Sequence, residues 1–431
     1  MNSKKISLFI ILFFVYNPFH FVYAQGWQKL TTTGLVTPRT NASAVYIPSQ
    51  NKMFVFGGKT SLGHTNELWC LNLNINSWSI VTSKSAKVPL ARYTHVAMYD
   101  SLLNRILIWS GEGSSLYNDV WAFNLKDSTW NELFLNGNVT GAPLKRYGDA
   151  ATFDQKNRNI ISFAGFTTAG RFDDTWSFDV DELHWTDKTN SIFPLKRCLT
   201  SSCFARDRRE MIVFGGQSTG NLNDIWKLNV DTYNWTNITP TVSPSARHFA
   251  SMSYCGNENV VVFGGNSLNQ GNNAGALNEL WNYSLNTQQW DTLPQFGKKP
   301  SARFGCTSVY IPSQDKIVVF GGQGLSSLNS ETWVYTGVNS VTNGILMNEA
   351  NDMDFNCYPN PVNTILNIHT NSTPIAPYQA TIVDVMGRKL MHVTLTGQKN
   401  SIDLSTLENG FYTIIIETGT KKISKRLIKT E

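Results

Sequence analysis

Charge is scarce in this chain, and a helical pattern is absent from it. Lys, Arg, Asp and Glu make up only 16% of 431 residues, while aromatics reach 12%. That balance excludes a disordered chain and indicates a globular one. The formal net charge is +5, of which Lys4 and Lys5 supply two. Such a small excess gives no ground for a nucleic-acid partner. Six cysteines, Cys70, Cys198, Cys203, Cys255, Cys306 and Cys357, form no CxxC and no metal-ligand spacing. Buried free thiols suit them better than a disulfide framework. A GxSxG elbow and a GxxxxGK[ST] loop are also missing, which removes the commonest serine-hydrolase and P-loop signatures. Apart from its start, the chain has no apolar run long enough to cross a membrane as a helix. At the start, Lys4 and Lys5 precede an unbroken apolar run from Ile6 to Tyr16, and Val22 and Ala24 offer small residues before Gln25. Residues 1–24 are therefore expected to be a cleaved secretory signal peptide.

What is present is a long repeat. Arg39, Arg92, Arg146, Arg197, Arg247 and Arg303 recur every 50 to 56 residues, and so do Trp27, Trp78, Trp130, Trp185, Trp235 and Trp290. After each arginine comes a strand of small and apolar residues, then a turn. An apolar run ending in glycine follows: MFVFGG at 53–58, ILIWSG at 106–111, IISFAG at 160–165, MIVFGG at 211–216, VVVFGG at 260–265 and IVVFGG at 317–322. Continuous β-branched and aromatic character suits a strand covered on both faces. Each unit then has an acid two residues before a tryptophan: Glu67, Asp119, Asp174, Asp224, Glu279 and Glu331. The first glycine becomes Ser110 and Ala164, whereas the second is glycine in all six units, so the second position is expected to need a positive φ or close backbone approach.

Four short strands per unit describe a propeller blade. The apolar run, the paired glycines and the two spaced aromatics resemble the kelch repeat, six times over residues 25–336. The fold class expected is all-β: a six-bladed kelch propeller followed by a small antiparallel β-sandwich. The last unit lacks a closing tryptophan strand. WQKL at 27–30 resembles WNEL at 130–133, so the N-terminal segment is expected to complete the sixth blade and leave no open edge.

Residues 337–354 lose the pattern and read as a linker. Beyond them, alternating strands and turns at Pro359, Asn360, Pro361, Gly387, Asn409 and Gly410 suggest a compact sandwich. Residues 355–431 resemble the C-terminal sorting domain of the Bacteroidetes type IX secretion system. The motif positions are Pro359, Asn360, Pro361, Asp384, Gly387 and Arg388, then Asp403, Leu404, Ser405, Gly410 and Tyr412, then Lys425 and Arg426. The resemblance implies passage through the periplasm and across the outer membrane by the type IX machinery. Release or anchoring to surface lipopolysaccharide would follow.

Two readings compete for the arginines. They could ring one mouth of the channel and bind a carboxylate, a sulfate or an acidic peptide. Alternatively each could pair with one of the six acids and belong to the scaffold. Where the repeat differs, His95 and Asp149 occupy equivalent places in adjacent units, and Glu112 directly follows Gly111. The three could do acid–base work or simply line the channel. The loop 266–277 (NSLNQGNNAGAL) is the longest after a glycine pair, and its flexible, polar character suits an exposed binding loop. The reading that results is a secreted or surface-exposed propeller that binds a glycan or an extracellular protein on its arginine-lined face. It needs no cofactor or metal. The alternative is a carbohydrate-active enzyme such as a sialic acid mutarotase or epimerase.

Overall fold

A computed structural model describes residues 25–137, 139–269, 271–295, 298–339, 355–370, 377–384, 388–418 and 421–430. The chain forms two units, Met1–Ser340 and Val341–Glu431. The signal peptide expected over 1–24, most of the linker expected over 337–354 and Gly387 of the sorting motif lie outside the described residues.

In the first unit, the apolar runs build six four-stranded antiparallel sheets. Blade 1 orders its strands as Ser43–Ile47, Lys52–Phe56, Leu68–Asn72 and Ser77–Ile80 from the centre outward. The innermost strands of blades 2 to 6 are Val96–Asp100, Ala150–Asp154, Ser201–Ala205, Ser251–Tyr254 and Thr307–Ile311. Each innermost strand packs beside the next, and the sixth packs beside the first. Six twisted sheets around one axis bury both faces of every second strand, as in Met53 to Phe56. That is why these runs are continuous and not alternating. The sixth blade takes its outer strand from Gly26–Lys29, with Trp27 opposite Tyr335.

The closing tryptophans knit neighbouring blades. Each ring packs on the last aromatic of the preceding blade's second strand: Trp78 on Phe320, Trp130 on Phe56, Trp185 on Trp109, Trp235 on Phe163, Trp290 on Phe214 and Trp27 on Phe263. The centroids lie 4.3 to 5.3 Å apart. A buried tryptophan at such an interface contributes about 3–5 kcal/mol by truncation.

Two rings of backbone hydrogen bonds complete the circle. The residue two past each arginine has a positive φ: Asn41, Thr94, Gly148, Leu199, Phe249 and Gly305. Its N–H donates to the carbonyl of its counterpart one blade back, and Asn41 closes the ring on Gly305, with lengths of 2.6 to 3.0 Å. Further out, the second glycine of each pair donates to the arginine carbonyl of the next blade, and Gly322 returns to Arg39. The glycine pattern now has a physical basis. Ser110 and Ala164 have φ of 65°, within the left-handed region that L-residues visit. The second glycines stand at 95° to 108°, outside it. A Cβ on Gly58 would also lie 2.9 Å from the Ala42 Cβ.

The second unit has a three-stranded sheet of Phe355–Tyr358, Ile365–Thr370 and Lys399–Asp403. Its four-stranded sheet orders Lys389–Leu395, Tyr378–Asp384, Gly410–Thr418 and Lys421–Lys429. Both sheets contribute to one core that contains Phe355, Leu366, Ile368, Ile382, Ile414 and Leu427.

Candidate functional site

The arginines are the first correction. Their side chains have no exposed surface. None of the six lines the channel. Each donates from Nε to the carbonyl two residues before it and from Nη1 to the carbonyl of the first glycine position. Each also pairs with the acid of its own blade: Arg39 with Glu67, Arg92 with Asp119, Arg146 with Asp174, Arg197 with Asp224, Arg247 with Glu279 and Arg303 with Glu331. The tryptophan two residues past the acid donates to the same carboxylate. With the donors engaged and the side chains covered, these groups hold the start of the innermost strand to the start of the third. They offer no ligand-binding ring. At Glu331 burial pushes the carboxyl up, but the bonds from Lys29, Arg303 and Trp333 outweigh it and pull the group down to about 2.

The second correction concerns His95, Asp149 and Glu112. His95 and Asp149 border the channel, but their polar groups turn into blade interfaces. Asp149 accepts from Trp109 Nε1 at 2.7 Å, Ser110 Oγ at 2.6 Å and Ser162 Oγ at 2.8 Å. Burial pushes its carboxyl up, and those donors, with the charge of Arg146, only partly counter it. His95 lies edge-on to Phe56 at 5.2 Å. Neither ring nitrogen has a partner of hydrogen-bonding geometry among the described residues. Burial first, and the Arg92 charge second, push the imidazole down to about 3, against a small opposing pull from the Phe56 backbone. Glu112 accepts from Tyr93 Oη at 2.6 Å on the loop face. The three groups make no hydrogen bond or ion pair with one another, so they form no acid–base constellation. Among the described residues no three His, Cys, Asp or Glu side chains gather as metal ligands.

A surface of which sequence reasoning named only Glu112 lies just outside the scaffold pairs. In an antiparallel four-stranded blade, the loop after the glycines and the crossover into the next arginine emerge on one face. The residue after each arginine bridges the residue after a second-position glycine, for example Tyr93 to Glu112, Tyr147 to Phe166 and Cys198 to Gln217. Side chains there form a strip over blades 1 to 4. His64 stacks on Tyr93 at 4.8 Å, and Lys59 reaches the same ring. Tyr93 donates to Glu112. Tyr147 packs on Phe166, Arg171 lies over Phe166, and Arg171 donates to Gln217. Burial, then nearby charges that include Glu112, push the Tyr147 phenol up to about 12. The signal was present in the variable position beside each constant arginine.

The described residues of the 266–277 loop are tied to the blades by side-chain hydrogen bonds. Asn266 is buried, donates to the Asn272 carbonyl and accepts from Leu268 N–H. Asn272 caps the short turn Asn273–Gly275. Asn221 of blade 4 donates to the Leu268 carbonyl, and Asn273 donates to Leu325 of blade 6. The loop bridges its neighbours.

Several described sorting-motif residues in the second unit are held by hydrogen bonds or ring contacts. Asn360 accepts from Ile428 N–H, and Asp384 accepts from Arg388 through both backbone and Nε. Tyr412 donates to the Glu408 carbonyl, Asp403 accepts from Ser405 N–H, and Lys425 Nζ lies over the Phe355 ring at 5.1 Å. Pro359 and Pro361 flank Asn360, and Gly410 opens the strand Gly410–Thr418. Arg426 falls on the last strand, and its side chain lies outside the described residues.

Six blades, the arginine–acid–tryptophan unit and the paired glycines define a kelch-type β-propeller. Residues 18–191 and 187–343 match the KLHDC2/KLHL20/DRC7 Kelch-repeats domain, and the chain belongs to the kelch-repeat family. Residues 356–430 match the secretion system C-terminal sorting domain, which marks the chain for export by the type IX system to the cell surface or beyond. The Leucine-zipper-like transcriptional regulator 1 homolog of Drosophila melanogaster is 29% identical over 189 residues, 42% of this chain and 18% of that protein. Kelch domain-containing protein 10 of Homo sapiens is 25% identical over 167 residues, 37% of each. Mei4-dependent protein 6 of Schizosaccharomyces pombe is 21% identical over 319 residues, 67% of this chain and 45% of that protein. The chain thus spans less than half the length of these relatives.

Proposed function

We propose that the propeller is an exported binding module whose ligand, a glycan or an extracellular protein, sits on the loop face across blades 1 to 4. The observation that carries this reading is the strip from Lys59 and His64 through Tyr93, Glu112, Tyr147, Phe166 and Arg171 to Gln217. It combines aromatic faces with charges of both signs, the composition of a recognition surface. The buried arginines beneath it fix the loops and leave the contacts to residues that differ between blades. The reading needs no cofactor. The mature protein is released or held at surface lipopolysaccharide after the signal peptide has brought it to the periplasm.

Pull-downs from culture medium and a glycan array, both with the full chain, test the binding role. Tyr93→Ala with Tyr147→Ala should weaken capture by roughly 30-fold if these rings are anchors. Unchanged capture by the double variant would remove the strip from the reading. For the tail, deletion of residues 355–431 should leave the protein in the periplasm, and surface delivery without them would refute the sorting role.

A further inference from the structure

Charge alternates along the loop-face strip. Lys59 stands on blade 1, Glu112 on blade 2 and Arg171 on blade 3. Among the described residues none of the three joins an ion pair, and their contacts are to neutral groups. Lys59 Nζ lies 5.9 Å from the Tyr93 ring centroid, Glu112 accepts from Tyr93 Oη at 2.6 Å, and Arg171 donates to Gln217 Oε1 at 2.9 Å. The arginine–acid pairs beneath them are closed, so the unspent charge of these blades is in the strip. Lys59 is exposed, and Glu112 and Arg171 are half-buried. Tyr147 lies within the field of both Glu112 and Arg171, and its hydroxyl makes no hydrogen bond among the described residues.

Aliphatic side chains flank these charges. In blades 1 and 3 the strands continue past the glycines as hairpins, Lys59–Thr60 with Gly63–His64 and Gly165–Thr167 with Gly170–Phe172. In blade 2 the loop turns back at once, with Gly113 N–H donating to the Ser115 carbonyl, and a Cβ on Gly113 would lie 2.1 Å from the Ala91 carbonyl. Glu112 thus lies between two hairpins, and Leu62 at the tip of the first is 95% exposed. The residue two before the arginine adds a rim. It is Leu90, Leu144 and Leu195 in blades 2 to 4, exposed by 58%, 43% and 64%. In the other three blades it is Thr37, Ser245 and Ser301. Its carbonyl holds the arginine Nε in every blade, so the scaffold uses its backbone and leaves its side chain free to vary. One exposed leucine is ordinary, but three at equivalent places on the blades that carry the strip mark an interaction surface.

A leucine rim gives a sugar neither a flat ring to stack on nor a hydrogen bond. A glycan charged by uronate or sulfate carries one sign only and is repelled by Glu112. A polypeptide supplies aliphatic side chains and both signs of charge. We propose that the loop-face strip takes a protein partner, through a segment in which a basic side chain facing Glu112 stands between acidic ones facing Lys59 and Arg171. This rests on the loop-face reading and narrows its ligand from glycan or protein to protein. The test is fluorescence anisotropy of the full chain with labelled synthetic peptides in which one lysine stands between two aspartates at graded spacings on a leucine–serine background. At least one spacing should bind, about tenfold more tightly than its neutral Asn–Gln–Asn analogue at low salt, the effect of two or three partly exposed ion pairs. The triple variant Lys59→Glu, Glu112→Lys and Arg171→Glu should reverse the preference towards Lys–Asp–Lys peptides. Leu90→Ser with Leu195→Ser, which copies the residue of blades 5 and 6, should weaken binding several-fold without changing the charge preference. It also serves if a melting curve shows the triple variant unfolded. Absence of binding, or equal binding of the Asp–Lys–Asp peptides and their neutral or reversed analogues, overturns the proposal. Capture of a glycan that is lost in Tyr93→Ala with Tyr147→Ala also overturns it, while leaving the loop-face reading intact. Peptide binding that survives that tyrosine variant, the triple variant and the leucine variant overturns both.

Discussion

Truncating the six acids one at a time should produce a graded loss of stability, and the order is set by exposure. Asp119→Ala is the extreme case. Its side chain is 5% exposed, it accepts Arg92 Nη1 at 2.6 Å and Nη2 at 2.8 Å, and it accepts Trp121 Nε1 at 2.8 Å. Removing it leaves a guanidinium with no exposed surface and no counter-charge, for which about 3–5 kcal/mol is the usual cost. Only the carbonyls of Leu90 and Ser110 would still accept from it. Glu279→Ala is the opposite extreme. Its side chain is 44% exposed, and Arg247 would retain Ser245 Oγ at 2.8 Å. Water can enter the vacated place, so about 1 kcal/mol is expected. Asp174, Asp224, Glu331 and Glu67, at 17%, 23%, 31% and 35%, should fall between. Thermal and urea unfolding of the full-length variants would measure the series. At about 2 °C per kcal/mol for a domain of this size, Asp119→Ala should melt roughly 8 °C below the parent and Glu279→Ala about 2 °C below. Equal losses at the two extremes would refute the argument that burial of the uncompensated arginine sets the cost.

Trp27→Ala should destabilise the propeller by about 3–5 kcal/mol in chemical unfolding, because it removes the contacts to Phe263 and Tyr335 that hold the first strand to the last blade; a loss under about 1 kcal/mol would mean the ring closes without it. His95 is neutral in the fold, with its imidazole held near 3 against an ordinary value of 6.5. Unfolding takes up a proton below that ordinary value, so stability is full above it and falls as pH drops from about 6.5 towards 3, by about 1.4 kcal/mol per pH unit from this one group. His95→Leu should flatten that limb in pH-dependent urea midpoints, and an unchanged slope would contradict it. Gly58→Ala, at φ 99° and against Ala42, should cost at least about 2 kcal/mol, whereas Ala164→Gly, at φ 65°, should shift the melting temperature little.

The repeat was legible because each position has a local cause. A strand covered on both faces must be apolar throughout, a φ near 100° must be glycine, and an interface ring must be large and flat. Trp27 standing before the first arginine pointed to an outer strand for the sixth blade, and the six-to-six match of arginines and acids pointed to pairing. The role of His95, Asp149 and Glu112 could not be read in the same way. Equivalent positions in adjacent blades bring two side chains to the same level of the channel, but the direction of each depends on what fills the neighbouring interface. For Asp149 that is Trp109, Ser110 and Ser162, and for His95 it is Phe56 and Gly57.

By itself, the sequence determined the blade count, the place of every glycine pair and the separate tail, since each depends on residue type at a fixed spacing. The tertiary structure decided which groups remain available for binding. The arginines that looked like a recognition ring are consumed within their own blades, because an uncompensated guanidinium cannot stay buried. The loop-face strip exists only once blades 1 to 4 stand side by side, because equivalent positions of successive blades are about fifty residues apart in the chain.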